Sequence, residues 1–266
     1  MAEPGPGAVW WLEARFQEGI LVILRVMAVF MVAPVFGARV IPARFRLGAG
    51  ILVGAAVWAG LPHPEIALSL YDLALAAARE ILIGAAMGFI AACTVAIAEI
   101  AGAIADTQIG YRAGTVLNPL SATPSAVLEQ FAYLLACCLF LSVDGHHWLI
   151  SAVRQSFDEC PPGALLHGGQ EVMAYLIELA AHSLRAGVRV AMPITAATIL
   201  VDVVLAVLSR VVPQLQVFFV GLPLKVGVGL AVLTLSWGAW TAVLRGSFEG
   251  IGATIVQLVR MLAGSA

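Results

Sequence analysis

Apolar residues along this chain come in long blocks rather than in the alternation of a half-buried strand. Six stretches, about 19–38, 48–61, 73–105, 131–143, 172–207 and 217–244, are almost wholly apolar. Blocks of this kind predict helices in a membrane, and the expected fold is all-α, membrane-associated, with about six hydrophobic segments. Their lengths are uneven. A helical crossing needs about 20 apolar residues, which GAGILVGAAVWAGL (48–61) and FAYLLACCLFLSV (131–143) do not reach. The stretches 73–105 and 172–207 overrun it. Arg25, Arg79, Glu80, Glu99, Glu178, Arg185, Arg189 and Asp202 lie within these blocks or at their edges. A charge at that depth is expensive and faces protein or water rather than lipid, so the pattern suits a subunit buried among partners better than six independent spans.

Small residues and prolines sharpen the picture. Gly50–Gly54, Gly84–Gly88 and Gly246–Gly250 have the GxxxG spacing that lets helix backbones approach closely. Pro34, Pro42, Pro193, Pro213 and Pro223 punctuate helical stretches and are expected to kink or end them. Three arginines, Arg39, Arg44 and Arg46, fall in the 39–46 loop, whereas the 62–72 and 144–171 connections lean acidic. The positive-inside rule puts 39–46 at the cytoplasmic side. The first nineteen residues are acidic and turn-rich with no basic n-region, so the first apolar segment is expected to be retained.

One helical stretch carries an ordered polar stripe. Glu171, Tyr175, Glu178, His182, Arg185 and Arg189 follow one another at spacings of 4, 3, 4, 3 and 4, with apolar or small residues between them. That places them on one helix face. The stripe begins acidic and ends basic, so Glu178 can pair with His182 and Arg185. It reads as a surface for an aqueous route or for the polar face of a neighbouring subunit.

A polar, turn-prone insert, IADTQIGYRAGTVLNPLSATPS (104–125), separates two apolar helices. Its glycines permit unusual backbone angles, and Asn118-Pro119 and Thr123-Pro124 bias the chain away from helix. Polar loop at membrane depth is tolerated only where protein or water surrounds it.

Composition confirms the class. Hydrophobic residues make up 61% and charged residues 11%, against about 25% charged in soluble domains. The net charge of −2 includes no basic block, which argues against nucleic acid as a partner. The four cysteines lack ligand spacing and read as small buried hydrophobes. Asp144, His146 and His147 lack the helical i, i+4 spacing of a metal motif and read as an interfacial turn beside Trp148. No phosphate-binding loop, zinc-protease motif or nucleophile elbow is present. No catalytic residue, metal site or cofactor is expected.

Five stretches in order resemble the FliR family, the flagellar type III export-gate subunits, whose injectisome relatives are called SctT. They are APVFGARVIPARFRLG (33–48), REILIGAAMGF (79–89), FLSVDGHHWLI (140–150), LVDVVLAVLSRVVPQLQ (200–216) and VFFVGLPLKVGVGL (217–230). The resemblance implies bent helical hairpins in one subunit over 1–266, with a FliP-like portion over about 10–200 followed by a FliQ-like portion over about 201–266. It implies FliP-like, FliQ-like and FlhB-like partners in the bacterial inner membrane, within the flagellar basal body. Together they would form a conduit for unfolded flagellar proteins, the transient substrates. The insert then corresponds to a pore plug, carried by Gly110, Tyr111, Arg112, Gly114, Val116, Leu117, Asn118 and Pro119. The family often has Asp-Pro where this chain has Asn118-Pro119, and Arg112 also departs from its pattern. Phe218, Phe219, Gly221 and Pro223 read as a packed bend for assembly, with Lys225 at an interface beyond it. An injectisome role is the nearest alternative. A small-solute transporter using the 171–189 stripe is a more distant one, since paired halves with matched broken helices are not seen.

Overall fold

A computed structural model describes residues 6–37, 42–61, 68–111, 126–212 and 217–264, and among them the chain is all-α with no strand. The helices are α1 (Pro6–Val32), α2 (Pro34–Gly37), α3 (Ala43–Ala59), α4 (Leu70–Ile109) and α5 (Val127–Ser142), then α6 (Gly145–Glu159), α7 (Gly169–Val211), α8 (Val217–Glu249) and α9 (Ile251–Ala263). Three helical runs are long and apolar enough to cross a membrane, namely Leu70–Ile109, Gly169–Val211 and Phe219–Ala263, or four if α5 and α6 count as one bent span. The other apolar blocks fall short for visible reasons. α3 has 17 residues and α5 has 16, below the roughly 20 that a crossing needs. α1 is longer but carries Glu13, Arg15, Glu18 and Arg25.

Prolines act less uniformly than the sequence suggests. Pro34 opens α2 and Pro42 precedes α3, positions where a missing N–H is harmless. Pro193 and Pro223, by contrast, lie inside α7 and α8 and do not end them. Apolar flanks that must stay helical at membrane depth override the local break. Pro213 lies outside the described residues.

The chain forms two compact units that interleave in sequence. The first comprises Met1–Ala92, Asp144–Leu179 and Gly250–Ala266. There α1 packs along α3, and α6 along α9. The α1–α3 contact is close because Gly50 lies against Met27 and Gly54 against Ile23, where an added Cβ would come within 3.0 Å of each. Gly84 and Gly88 do the same for α4 on α1: a Cβ on Gly84 would run into the Arg25 carbonyl oxygen, and one on Gly88 would lie 2.7 Å from Val32 Cβ. The third GxxxG pair differs, since Gly246 meets only open space within this chain. On α9 the buried residues are Ile251, Ile255, Leu258, Val259 and Leu262, one stripe at helical spacing.

The second unit comprises Cys93–Val143 and Ala180–Glu249. Its core uses small residues of α4 (Ala98, Ala101, Ala105) and the α5 series Ala132, Ala136 and Phe140. Phe140 meets Phe248 edge-on, with ring centroids 5.5 Å apart. In the same unit Ile199, Leu200, Val203, Val204 and Val207 of α7 are exposed in the isolated chain. Together they form an apolar face that water would not leave uncovered.

Candidate functional site

Two residues of the expected plug, Gly110 and Tyr111, lie in the described part of the chain. Arg112, Gly114, Val116, Leu117, Asn118 and Pro119 lie outside it. What the structure defines is the base of that loop. Gly110 ends α4 with φ of 96°, a left-handed angle that glycine adopts without strain. The N–H groups of Gly110 and Tyr111 both donate to the Asp106 carbonyl, at 3.2 and 3.1 Å. The Asp106 side chain then reaches the other end of the loop. Its Oδ1 accepts from the Leu128 N–H (3.0 Å) and its Oδ2 from the Glu129 N–H (2.9 Å).

Asp106 is fully buried, so one residue fastens both ends of the segment 110–126. Sequence reading passed over Asp106, because the start of α5 that it caps is defined only by the fold. α5 starts at Ala126–Val127 with no Ser, Thr, Asp or Asn at its cap and no local capping bond. A helix start that lacks its own cap must import one.

The polar stripe is resolved in full on α7. Glu171, Glu178, His182, Arg185 and Arg189 are exposed in the isolated chain, and Tyr175 is half-buried. Tyr175 Oη donates to Gln257 Oε1 at 3.4 Å. The pairing of Glu178 with His182 or Arg185 is not present: among the described residues no ion pair or hydrogen bond joins them. At the surface, the small gain from such a pair does not outweigh the entropy of holding two long side chains together.

The residues of the expected assembly bend lie at the start of α8 and within it. Pro223 lies within the unbroken α8. Gly221 is buried against Leu205, where an added Cβ would lie 2.9 Å from Leu205 Cδ1. Phe219 is exposed over 70% of its surface and so is not core. The Phe218 side chain lies outside the described part. Lys225, the only lysine, reaches across to α7, its Nζ 2.9 Å from both carboxylate oxygens of Asp202.

The most completely built polar site was not singled out from sequence. Arg25 of α1 and Glu80 of α4 are 0% and 1% exposed. The guanidinium spends all five N–H donors. Nε and Nη2 donate to the Glu80 oxygens at 2.5 and 3.1 Å. Nη1 donates to the Ser156 carbonyl and hydroxyl at 3.1 and 3.0 Å, and Nη2 also donates to the Cys160 carbonyl at 2.9 Å. Glu80 Oε1 accepts in addition from the Gly163 N–H at 3.0 Å. The Arg25 plane lies 4.1 Å over the Phe157 ring. The node ties α1, α4, α6 and the 160–163 turn into one register.

The cysteines stay unpaired. Cys93 and Cys160 are buried and Cys137 half-buried as expected, but Cys138 is exposed. Burial pushes the Cys160 thiol above its ordinary range, which leaves it unreactive. At the head of α6, Asp144, His146 and His147 bring one donor atom each within 4.8 Å of one another.

Comparison with known proteins places the sequence in a family. The sequence model of the bacterial export proteins, family 1, matches residues 16–251. The flagellar biosynthetic protein FliR of Bacillus subtilis (strain 168) is 31% identical over 252 residues, covering 94% of this chain and 97% of that protein. The protein of the same name from Escherichia coli (strain K12) is 30% identical over 223 residues, 84% of each chain. That of Pectobacterium carotovorum is 31% identical over 212 residues, 80% of this chain and 81% of its own. With the family model spanning most of the chain and the Bacillus subtilis relative matched nearly end to end, the chain belongs to family 1 of the bacterial export proteins and, within it, to the FliR family.

Proposed function

We propose that this chain is a structural and gating subunit of the flagellar protein export apparatus, with no catalytic role of its own. The observation that carries this reading is the match over residues 16–251, together with relatives that all bear a flagellar biosynthetic name. Those names also favour a flagellar over an injectisome role. In this reading the chain sits in the bacterial inner membrane within the basal body. It assembles with FliP-like and FliQ-like subunits, and an FlhB-like one, around a conduit for unfolded flagellar proteins. Residues of about 10–200 would play the FliP-like part and about 201–266 the FliQ-like part.

The surfaces of the isolated chain support assembly. The stripe Glu171–Arg189 is exposed apart from half-buried Tyr175, and charges at membrane depth suit contact with protein or water rather than lipid. The segment 110–124 is the plug: a conduit wide enough for an unfolded chain leaks ions unless something fills it at rest. A Gly-, Ser-, Thr- and Pro-rich stretch resists locking into regular structure and is displaced at modest free-energy cost.

Two experiments test the reading. Affinity purification of the tagged chain from a flagellated host should bring FliP-like and FliQ-like subunits with it; a tagged chain recovered from that host without them would sink the proposal. Replacing 110–124 by a short Gly-Ser bridge should leave the complex assembled and the membrane leaky to ions. A tight membrane around an assembled deletion complex would reduce the segment to a connecting loop.

A further inference from the structure

We propose that Asp144, His146 and His147, at the head of α6, form a binding site for a divalent transition metal of the zinc type. Sequence spacing alone argues against such a site, and three structural observations argue for it. First, the three residues place one ligand-type atom each within 4.8 Å of one another. A tetrahedral zinc with ligands at about 2.0–2.2 Å holds its donors roughly 3.3 Å apart. The remaining closure needs only side-chain rotation, and His147 and Asp144 are free to rotate at 72% and 69% exposure.

Second, Asp144 does not do what an aspartate in its position ordinarily does. It stands at the N-cap of α6 yet makes no capping hydrogen bond, although Asp is among the best capping residues. Its backbone is held at φ of 55°, the one non-glycine residue with positive φ among those described. The carboxylate lies instead 3.5 Å from His147 Nδ1. Third, the two imidazoles lie side by side, ring centroids 4.3 Å apart, and His146 Nδ1 is buried with no hydrogen-bond partner among the described residues. Two neutral imidazoles and one carboxylate are a donor set suited to zinc, cobalt or nickel and poorly suited to magnesium.

The positive end of the α6 dipole opposes a cation here, and the full negative charge of Asp144 offsets it. The three protein ligands leave an outward position for water. The metal would hold Asp144 in its left-handed conformation and so stiffen the turn that opens α6.

The test uses the full chain purified without a polyhistidine tag, titrated with zinc chloride by calorimetry and with cobalt chloride by absorption. The expected result is one zinc per chain and a tetrahedral or five-coordinate cobalt spectrum. His147→Gln should weaken binding at least about tenfold, since even outer-shell changes cost 10–100-fold, and Asp144→Asn should do likewise. His167→Ala, outside the cluster, should leave affinity unchanged. His147 is exposed, so its replacement keeps the test valid even where the His146 variant misfolds. Zinc bound equally by the wild type and the His147→Gln/Asp144→Asn double variant, or lost equally in His167→Ala, would overturn the site and leave an interfacial turn.

Discussion

Arg25–Glu80 and Lys225–Asp202 each join two helices of an apolar chain, the first α1 to α4 and the second α7 to α8. Arg25 and Glu80 are almost wholly inaccessible, and every guanidinium proton has an acceptor. Lys225 and Asp202 are 20% and 50% exposed. A saturated buried pair is an internal fitting whose value lies in fixing register. A half-open pair on an apolar surface is unfinished, and it suits a chain whose remaining neighbours belong to other subunits. The largest expected effects therefore lie at the first pair and shrink towards the exposed stripe.

Removing one partner of the buried pair should cause the greatest damage. Glu80→Leu would leave the Arg25 charge, the Gly163 N–H and two donor positions without their acceptor, and loss of one partner of a buried pair costs about 3–5 kcal/mol. The double variant Arg25→Leu/Glu80→Leu removes both charges and should recover much of that loss. Thermal unfolding of the detergent-purified variants decides it. A double variant no more stable than Glu80→Leu would mean that the node acts through its backbone bonds and not through the ion pair.

Asp106 comes next. Asp106→Ala would strip the Leu128 and Glu129 N–H groups of their acceptors at the start of α5. Losing a cap and leaving a buried donor unsatisfied costs about 2 kcal/mol. Asp106→Asn keeps one acceptor oxygen and should recover about half of it. Amide exchange in the first turn of α5 reads this locally, and exchange unchanged in Asp106→Ala would dismiss the clasp. The same residue shows where sequence reading reached its limit. Long apolar blocks identified α4, α7 and α8, because helix in a membrane follows from burying every backbone polar group. The stripe on α7 was equally legible, being periodic within one helix. Asp106 and the Arg25–Glu80 pair, whose members are 55 residues apart, depend on which helices meet. No local pattern encodes that.

The half-open pair should behave differently in isolation and in assembly. In the detergent-purified chain Lys225→Met should cost about 1 kcal/mol or less, the range of exposed pairs. If a partner subunit excludes water from the pair within an assembled export complex, the same change should cost more there and lower the yield of complex. Equal effects in the two settings would place Lys225 away from any interface.

The smallest effect is expected at the centre of the stripe. Glu178 is exposed and, in this structure, pairs with neither His182 nor Arg185. Glu178→Leu should therefore change the unfolding midpoint of the isolated chain by no more than a surface substitution does, within about 0.5 kcal/mol. Arg185→Leu should do the same, and the double variant should show no coupling, because groups without a shared contact add independently. Were the stripe an internally paired seam, the single variants would destabilise and the double would recover. Co-purification with partner subunits supplies the contrast. A stripe that meets the polar face of a neighbour should lose complex when Glu178 or Arg185 is replaced, although the chain itself is unharmed. If both readouts stay at wild-type level, the stripe faces water only, and its spacing of threes and fours records a solvated helix face rather than a joint.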